Sequence, residues 1–172
     1  IWVRSRCSTT DQSAWSNVTS VLTLCAPVTT LSENFDSYTI GLITNAPCWG
    51  KITTGIAGIN INGNGALSGS RHILQRSISA GDIAIAVFPE MSNVSAGTHT
   101  LKFNAYCSIN TGKLDIGYVT NPTDASTFTL IQQLNITNTS YTPSAGTSEY
   151  AVAIPDTVPA GARLAIRNTY AT

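Results

Sequence analysis

The residues best placed to do chemistry lie early in the stretch from Ser32 to Trp49, where Glu33, Asn34 and Asp36 surround Phe35. Carboxylate and amide oxygens are hard ligands, and a calcium ion takes six to eight of them. We predict that Ser32 to Trp49 forms the first strand and loop of a new domain, and in such a strand Asn34 and Asp36 share one face while Glu33 faces the other. Two carboxylates alone seldom complete a coordination sphere, so a solvated pair of turn carboxylates is the alternative.

Motifs for catalysis are missing from the sequence. It contains no G-x-S-x-G, H-E-x-x-H, EF-hand loop or P-loop. The two histidines, His72 and His99, stand in no nucleophile or metal pattern. An autonomous glycosidase would need two carboxylates about 5 to 9.5 Å apart in a cleft, and the sequence indicates no such pair. We therefore expect no catalytic activity from this chain.

Aromatic side chains raise the alternative of a sugar-binding platform, because their faces stack on apolar sugar faces. Trp15 is expected to pack in a loop, and Trp49 to close one end of a core. Tyr106 and Tyr118 are the better candidates for ligand binding, since each falls within a clear strand pattern. Core or rim packing is the commoner role for such residues.

Two arginines, Arg163 and Arg167, lie on one late strand and form a second candidate ligand site. Same-side arginines can bind a carboxylate or sulfate in a bidentate manner. A salt bridge to Asp115, Asp156 or Glu149 is the more ordinary alternative.

Composition narrows the choice of partners. The 172 residues include only 10% charged side chains, with nine basic and nine acidic residues that form no runs. Such a surface has no field to attract nucleic acid or an anionic membrane. No apolar run approaches the ~20 residues of a membrane helix. We therefore predict neither nucleic-acid binding nor membrane insertion.

The four cysteines, Cys7, Cys25, Cys48 and Cys107, are widely spaced and form no C-x-x-C. This spacing does not resemble a zinc site and favours disulfides formed in an oxidising compartment. Four buried free thiols are the alternative. Three pairings are possible, and the spacing does not choose among them. The chain starts without Met or a leader, so we expect a fragment of a longer secreted polypeptide.

Strand-sized segments follow one another along the chain, separated by Gly, Pro and Asn. The clearest has Leu101, Phe103, Ala105 and Cys107 on one face. No window shows a sustained helical period, so we predict an all-β jelly-roll sandwich of two antiparallel sheets. Asn110 to Lys113 should form a hairpin turn. The predicted strands are Lys51 to Asn62, His72 to Ile78, Asp82 to Phe88, Thr98 to Ser108, Lys113 to Val119, Thr127 to Ile136, Glu149 to Ile154 and Arg163 to Asn168.

The first segment resembles the end of a fibronectin type III module. The resemblance rests on Val3-Arg4-Ser5-Arg6-Cys7, on Ser13-Ala14-Trp15-Ser16 and on Val21-Leu22-Thr23-Leu24. It implies that residues 1–27 are the last two strands of such a module, a C-terminal hairpin. Pro27 disfavours continued sheet pairing, so the domain boundary is placed there.

Residues 28–172 resemble a cleaved-adhesin or MAM-like jelly roll of secreted bacterial multidomain proteins. The motifs are Glu33-Asn34-Phe35-Asp36, Pro47-Cys48-Trp49, the segment from Thr100 to Tyr106 and the segment from Val158 to Asn168. The resemblance implies a structural calcium held by Glu33 and Asp36, with Asn34 nearby. The family's closing aspartate strand is absent, so we expect a domain truncated before its last strand.

Together these observations predict a non-catalytic adhesion or binding module of an extracellular or cell-surface bacterial protein. Its partners would be a glycan or a host or matrix protein, and other domains of the same polypeptide. The alternative is a carbohydrate-binding accessory domain of an extracellular peptidase or glycan-degrading enzyme. With the two modules assigned, we expect Cys7 to pair with Cys25 and Cys48 with Cys107.

Overall fold

The computed structural model describes residues 8, 10, 14, 25–108, 112–141 and 148–169. The predicted all-β sandwich is confirmed: these residues form ten strands and three single-turn 3₁₀ helices, with no α-helix among them. The predicted fibronectin hairpin lies outside the described residues. The strands are β1 (Gly41–Leu42), β2 (Gly50–Thr53), β3 (Gly58–Asn62), β4 (His72–Arg76), β5 (Ile83–Val87), β6 (His99–Asn104), β7 (Gly112–Val119), β8 (Phe128–Ile136), β9 (Glu149–Ile154) and β10 (Arg163–Thr169).

A five-stranded antiparallel sheet in the order β2-β5-β10-β7-β8 forms one layer of the sandwich. Its strand β5 has the sequence Ile-Ala-Ile-Ala-Val, and four of these five residues are buried. Ala84 and Ala86 face one side of the sheet, and Ile85 and Val87 face the other. A strand buried on both faces reads as a continuous apolar run, which explains why β5 lies inside the sheet.

Two smaller antiparallel sheets, β1-β3-β4 and β6-β9, form the second layer. Ile59 and Ile61 of β3 and Ile154 of β9 belong to the same buried cluster as Ala86 and Leu164 of the large sheet. Both small sheets therefore pack on one face of the large sheet. The second layer is divided, because β4 pairs only with β3, and β6 only with β9, among the described strands.

The other face of the large sheet carries a separate apolar cluster. Here Gly117 of β7 leaves room for the ring of Phe128, because a methyl group at Gly117 would overlap that ring and the carbonyl of Thr129. The guanidinium of Arg167 lies 4.2 Å from the centre of the Phe128 ring. This cation–π contact joins β10 to β8 across the intervening strand β7.

Three local predictions are wrong. Residues 32–35 form no strand, and Asp36 begins a turn. Lys51 to Asn62 is two strands, β2 and β3, which belong to different sheets. The two strands expected to flank a hairpin turn at Asn110 to Lys113 do not pair with each other, because β6 pairs with β9 while β7 pairs with β8 and β10. Strands β6 and β7 therefore lie in different layers, and residues 109–111 of the expected turn are outside the described part of the chain.

The aromatic end of the core is as predicted for Trp49. Its side chain is 7% exposed, and its ring centre lies 5.1 Å from that of Phe35 and 4.5 Å from that of Phe88. The three tilted rings close one end of the sandwich. Aromatic pairs of this kind stabilise a fold by more than the burial of their surface alone.

Candidate functional site

A cavity of 720 Å³ lies between β4 and β6, above the large sheet. We call it the slot. Its lining includes the consecutive residues 71–75, which contain all of β4 except Arg76, and the consecutive residues 99–108, which contain β6. Side chains of a strand alternate between faces, so a cavity against one face is lined by every second residue. Lining by every residue indicates that the slot is bounded by the backbone edges of the two strands.

The floor of the slot is apolar and belongs to the large sheet. It includes Ala86 of β5, Leu164 and Ile166 of β10 and Leu114 of β7. One end of the slot is lined by Leu31, Glu33 and Phe35, together with Trp49. The opposite end is lined by Tyr106, Cys107 and Tyr141. The slot is thus a long groove with an apolar base and polar strand edges.

The loop between β3 and β4, residues 63–71, reaches across this region. Leu67 and Ser68 line the slot, and a methyl group at Gly65 would lie 2.9 Å from the hydroxyl of Tyr106 beyond β6. Leu67 is 46% exposed, so its side chain is accessible at the edge of the slot. The loop therefore forms part of the slot's rim.

Asp36 fixes the end of this loop. Its Oδ1 accepts hydrogen bonds from the backbone N–H groups of Ser70 at 2.7 Å and of Arg71 at 2.9 Å. Gly69 has a φ of 64°, and any side chain there would overlap the Asp36 carboxylate. Asp36, one of the predicted metal ligands, thus holds the segment that leads into β4 through its carboxylate.

Glu33 and Asn34 organise the turn around Phe35. Glu33 accepts hydrogen bonds from the Phe35 N–H at 2.8 Å and from the Tyr38 hydroxyl at 2.9 Å. The bond to Glu33, together with burial, raises the pKa of Tyr38. Asn34 Nδ2 donates to Asp36 Oδ2 at 3.1 Å. Phe35 has a φ of 65°, a strained conformation for a bulky residue, and its packing on Trp49 holds it there.

These contacts bear on the predicted calcium site. All four carboxylate oxygens of Glu33 and Asp36 accept hydrogen bonds from N–H or O–H donors. In the part of the chain that the structure describes, no three His, Cys, Asp or Glu side chains converge as metal ligands. Two occupied carboxylates do not fit a calcium ion by themselves, and a role of Glu33, Asn34 and Asp36 in calcium binding stays a prediction.

The predicted disulfide pairing is wrong. Cys25 is bonded to Cys48, with their Cα atoms 5.7 Å apart. Cys107 is a free, half-buried thiol at one end of the slot, and Cys7 lies outside the described residues. The bond joins the segment before Val28 to the loop before β2. The same segment is also held by a β-bridge between Val28 and Met91. The pairing was misassigned because it followed the expected module boundary at residue 27.

The two candidate arginines have separate structural roles. Arg163 Nε donates to the carbonyl of Phe88 at 2.6 Å, and its Nη2 donates to the carbonyl of Cys48. Burial lowers the pKa of Arg163. Arg167 forms a salt bridge of 2.7 Å with Asp115, which is one of the alternatives drawn from the sequence. Both guanidinium groups are thus engaged within the fold, and ligand binding by either remains a prediction.

The two candidate tyrosines lie in different surroundings. Tyr118 is half-buried on β7 and packs against the main core. Tyr106 lies just beyond the end of β6, where its ring centre is 4.6 Å from that of Tyr141 in an edge-on arrangement. Tyr106 and Tyr141 both line the slot. Only Tyr106 among the predicted ligand-binding residues is therefore part of this groove.

Three residues at the start of β4 and β6 carry buried side-chain nitrogens without a partner: Arg71 Nε, His72 Nδ1 and His99 Nδ1. All three residues line the slot. Burial lowers the pKa of His72. A buried polar atom without a partner costs about 1 to 3 kcal/mol. The Nε–H of Arg71 can only donate a hydrogen bond, whereas each histidine Nδ1 donates or accepts according to its tautomer.

Two acidic residues, Asp82 and Asp115, are buried among the described residues. Asp115 was expected from the sequence as a possible partner of an arginine on β10, whereas no prediction singled out Asp82. Asp82 accepts hydrogen bonds from the backbone N–H groups of Ile56, Ile78 and Ser79. Burial raises the pKa of Asp82, but these three bonds outweigh it, and the pKa lies below its ordinary value. Its position after Gly81 at the start of a strand was a usable turn signal.

Comparison of the chain with protein-family models, with curated proteins and with solved structures gave no match. Among the described residues there is no helix of sufficient length and hydrophobicity to cross a membrane.

Proposed function

We propose that this chain is a non-catalytic adhesion or binding module of a secreted or surface-anchored protein, and that the slot holds its ligand. The observation that carries the proposal is the lining of the slot by two strand edges over an apolar floor. Concave sites with an apolar base and a few polar groups are the usual form of binding sites.

The state of the carboxylates supports a binding role over a catalytic one. Asp36 and Asp82 accept hydrogen bonds from backbone N–H groups, and Asp115 is paired with Arg167. Glu33 is bonded to Tyr38. Among the described acidic residues only Glu33 lines the slot, whereas glycoside hydrolysis needs a pair of carboxylates facing the substrate, and this supports binding over hydrolysis there.

The extracellular location is supported by the disulfide between Cys25 and Cys48. Disulfides persist in oxidising compartments and are rare where thiols are kept reduced. The low content of charged residues is common among extracellular β proteins, as the sequence indicated.

The test is an array of glycans and matrix proteins probed with the wild type and two variants. Leu101→Arg places a charge inside the slot, because Leu101 is half-buried and lines it. Ala153→Arg is the matched control, since Ala153 is exposed on the neighbouring strand β9 and does not line the slot. Binding that is lost in Leu101→Arg and kept in Ala153→Arg supports the proposal. Binding that both variants retain would overturn the assignment to the slot.

A carbohydrate-binding accessory role is the second candidate, favoured by the Tyr106–Tyr141 pair at one end of the slot. Aromatic rings at the rim of a groove can stack on sugar faces. On the same array, a glycan whose binding is lost in Tyr106→Ala would favour this role. Retention of all glycan binding in Tyr106→Ala would count against it.

A further inference from the structure

We infer that the ligand of the slot is an extended peptide strand of about five residues from a partner polypeptide, running antiparallel to β4 and β6. This inference rests on the proposed binding function and names the class of ligand. The length follows from the flanking strands, since β4 has five residues and β6 has six.

The backbone of β6 offers hydrogen bonds to such a strand. The N–H of Ala105 donates to the carbonyl of Ser148, on the β9 side, at 2.8 Å. Backbone groups of a strand alternate in direction, so the N–H and C=O groups of Thr100, Lys102 and Asn104 point away from β9, into the slot. Because β6 pairs only with β9 among the described strands, these groups form an open edge.

The direction of the bound strand follows from the contacts between layers. Gln75 donates to the carbonyl of Ile166 at 2.9 Å, and Ser77 donates to that of Asn168 at 3.0 Å, so β4 runs in the same direction as β10. The N–H of Cys107, beyond β6, donates to the carbonyl of Asn138.

Asn138 follows the end of β8, and Ile136 of β8 is paired with Gly112, the first residue of β7. That end of β7 lies beside the end of β10, where Leu114 is paired with Asn168. Hence β6 also runs in the direction of β10, and β4 and β6 are parallel. One strand between them can pair with both edges in the antiparallel manner found throughout this fold.

The side chains of the bound strand are also constrained. Every second residue faces the floor formed by Ala86, Leu164 and Ile166, and should be apolar. The remaining residues face outward between Arg76 and Lys102, which are exposed and form no ion pair within the described residues. Opposite charges on neighbouring strands attract, so acidic residues are favoured at these outward positions.

The unpartnered nitrogens of Arg71, His72 and His99 fit this orientation. They lie at the starts of β4 and β6, which is where the C-terminal end of an antiparallel strand arrives. The last carbonyl groups of that strand, which have no further partner in the sheet, are suitable acceptors for these nitrogens. A peptide strand thus satisfies both the backbone edges and the buried polar atoms of the slot.

The first experiment measures fluorescence anisotropy with a labelled seven-residue peptide that alternates Val and Asp. Lys102→Pro removes the N–H that points into the slot and leaves the ladder with β9 intact, whereas Lys102→Val keeps the N–H and is the matched control. Lys102→Val loses only the positive charge, so we expect it to bind the alternating peptide somewhat more weakly than the wild type. Lys102→Pro also loses the backbone N–H, and we expect its affinity for the peptide to be about tenfold lower than that of Lys102→Val. A peptide of the same composition with Val and Asp in separate blocks should bind poorly.

Hydrogen exchange provides the second readout and checks that Lys102→Pro is folded. The amides of Thr100, Lys102 and Asn104 should exchange quickly in the free protein and become protected with the alternating peptide. Those of Leu101 and Phe103 should be protected throughout. Equal binding by the two Lys102 variants would overturn the inference, as would equal binding of the block peptide.

Protection of the slot amides before peptide is added would also overturn it, because another strand would already fill the slot. The proposed function is tested separately. If Leu101→Arg abolishes binding to an array ligand while neither peptide binds, the slot is a binding site and the peptide-strand assignment is wrong. If Leu101→Arg leaves all array binding intact, the proposed function itself fails.

Discussion

The guanidinium of Arg163, on strand β10, donates a hydrogen bond to the backbone carbonyl of Cys48, one of the two disulfide-bonded cysteines. Through its Nε it also binds the carbonyl of Phe88. One side chain therefore joins the large sheet to the loop that carries the disulfide. Cys48 has a φ of 72°, and this contact helps to hold that strained backbone.

Replacing Arg163 by Lys should destabilise the fold by about 1 to 3 kcal/mol, because a single ammonium cannot reproduce the two directed bonds of the guanidinium. The free energy of unfolding in urea measures the effect. Arg76→Lys, at an exposed position on β4, is the control and should change stability by less than about 0.5 kcal/mol. Equal stability of the two variants would show that the Arg163 contacts contribute little.

Loss of the Cys25–Cys48 bond should cost about 3 kcal/mol, since it closes a loop with a sequence separation of 23 residues. Cys48→Ser tests this in chemical unfolding, with Cys107→Ser as the matched control at a free thiol. Peptide mapping without reduction should find Cys25 linked to Cys48 and Cys107 open to alkylation in the unfolded chain. A peptide that joins Cys48 to Cys107 would contradict this structure.

Removing the carboxylate of Asp36 should loosen the end of the β3–β4 loop. Asp36→Ala leaves the N–H groups of Ser70 and Arg71 without their acceptor, and we expect a loss of about 1 to 2 kcal/mol after allowance for partial exposure. Asp156→Asn, at an exposed site, serves as the control. If calcium raises the melting temperature of the wild type and not of Asp36→Asn, Asp36 acts through the metal instead.

Stability should fall as His72 becomes protonated. Burial lowers its pKa below the ordinary 6.5, so the unfolded chain binds the proton first as the pH falls. The stabilising contribution is therefore complete above pH 6.5 and is lost progressively as the pH drops toward the folded-state pKa. Between pH 7.5 and 5.5, the free energy of unfolding should decrease less in His72→Gln than in the wild type. An identical pH profile for the two proteins would contradict this assignment.

Much of the fold could be predicted because strand patterns are local. Alternation identified β6 through Leu101 and Phe103, and the strand predicted from Asp82 to Phe88 contains β5, which the structure shows to be buried on both faces. The segment around Phe35 was misread as a strand, because Glu33 and Asn34 bond to neighbouring residues and favour a turn. Side chains of this type compete with sheet pairing when their partners lie two residues away.

The candidate site could be predicted only in fragments. Asp36 and Tyr106 were identified from their residue types, and the structure places Tyr106 along the slot and Asp36 at the loop on its rim. The slot itself arises because β4 pairs with β3 and β6 with β9, which leaves two facing edges without a partner among the strands that the structure describes. Such pairing depends on contacts between residues far apart in the chain, and no local pattern encodes it.

The open edges of β4 and β6 also determine how this protein behaves at high concentration. An unpaired strand edge recruits further strands, including those of unfolded neighbours, and is a common starting point for aggregation. Arg76 and Lys102, exposed along these edges, repel the same edges of a second molecule. We expect these positive charges to oppose self-association, and substituting both with apolar residues should make edge-to-edge pairing easier.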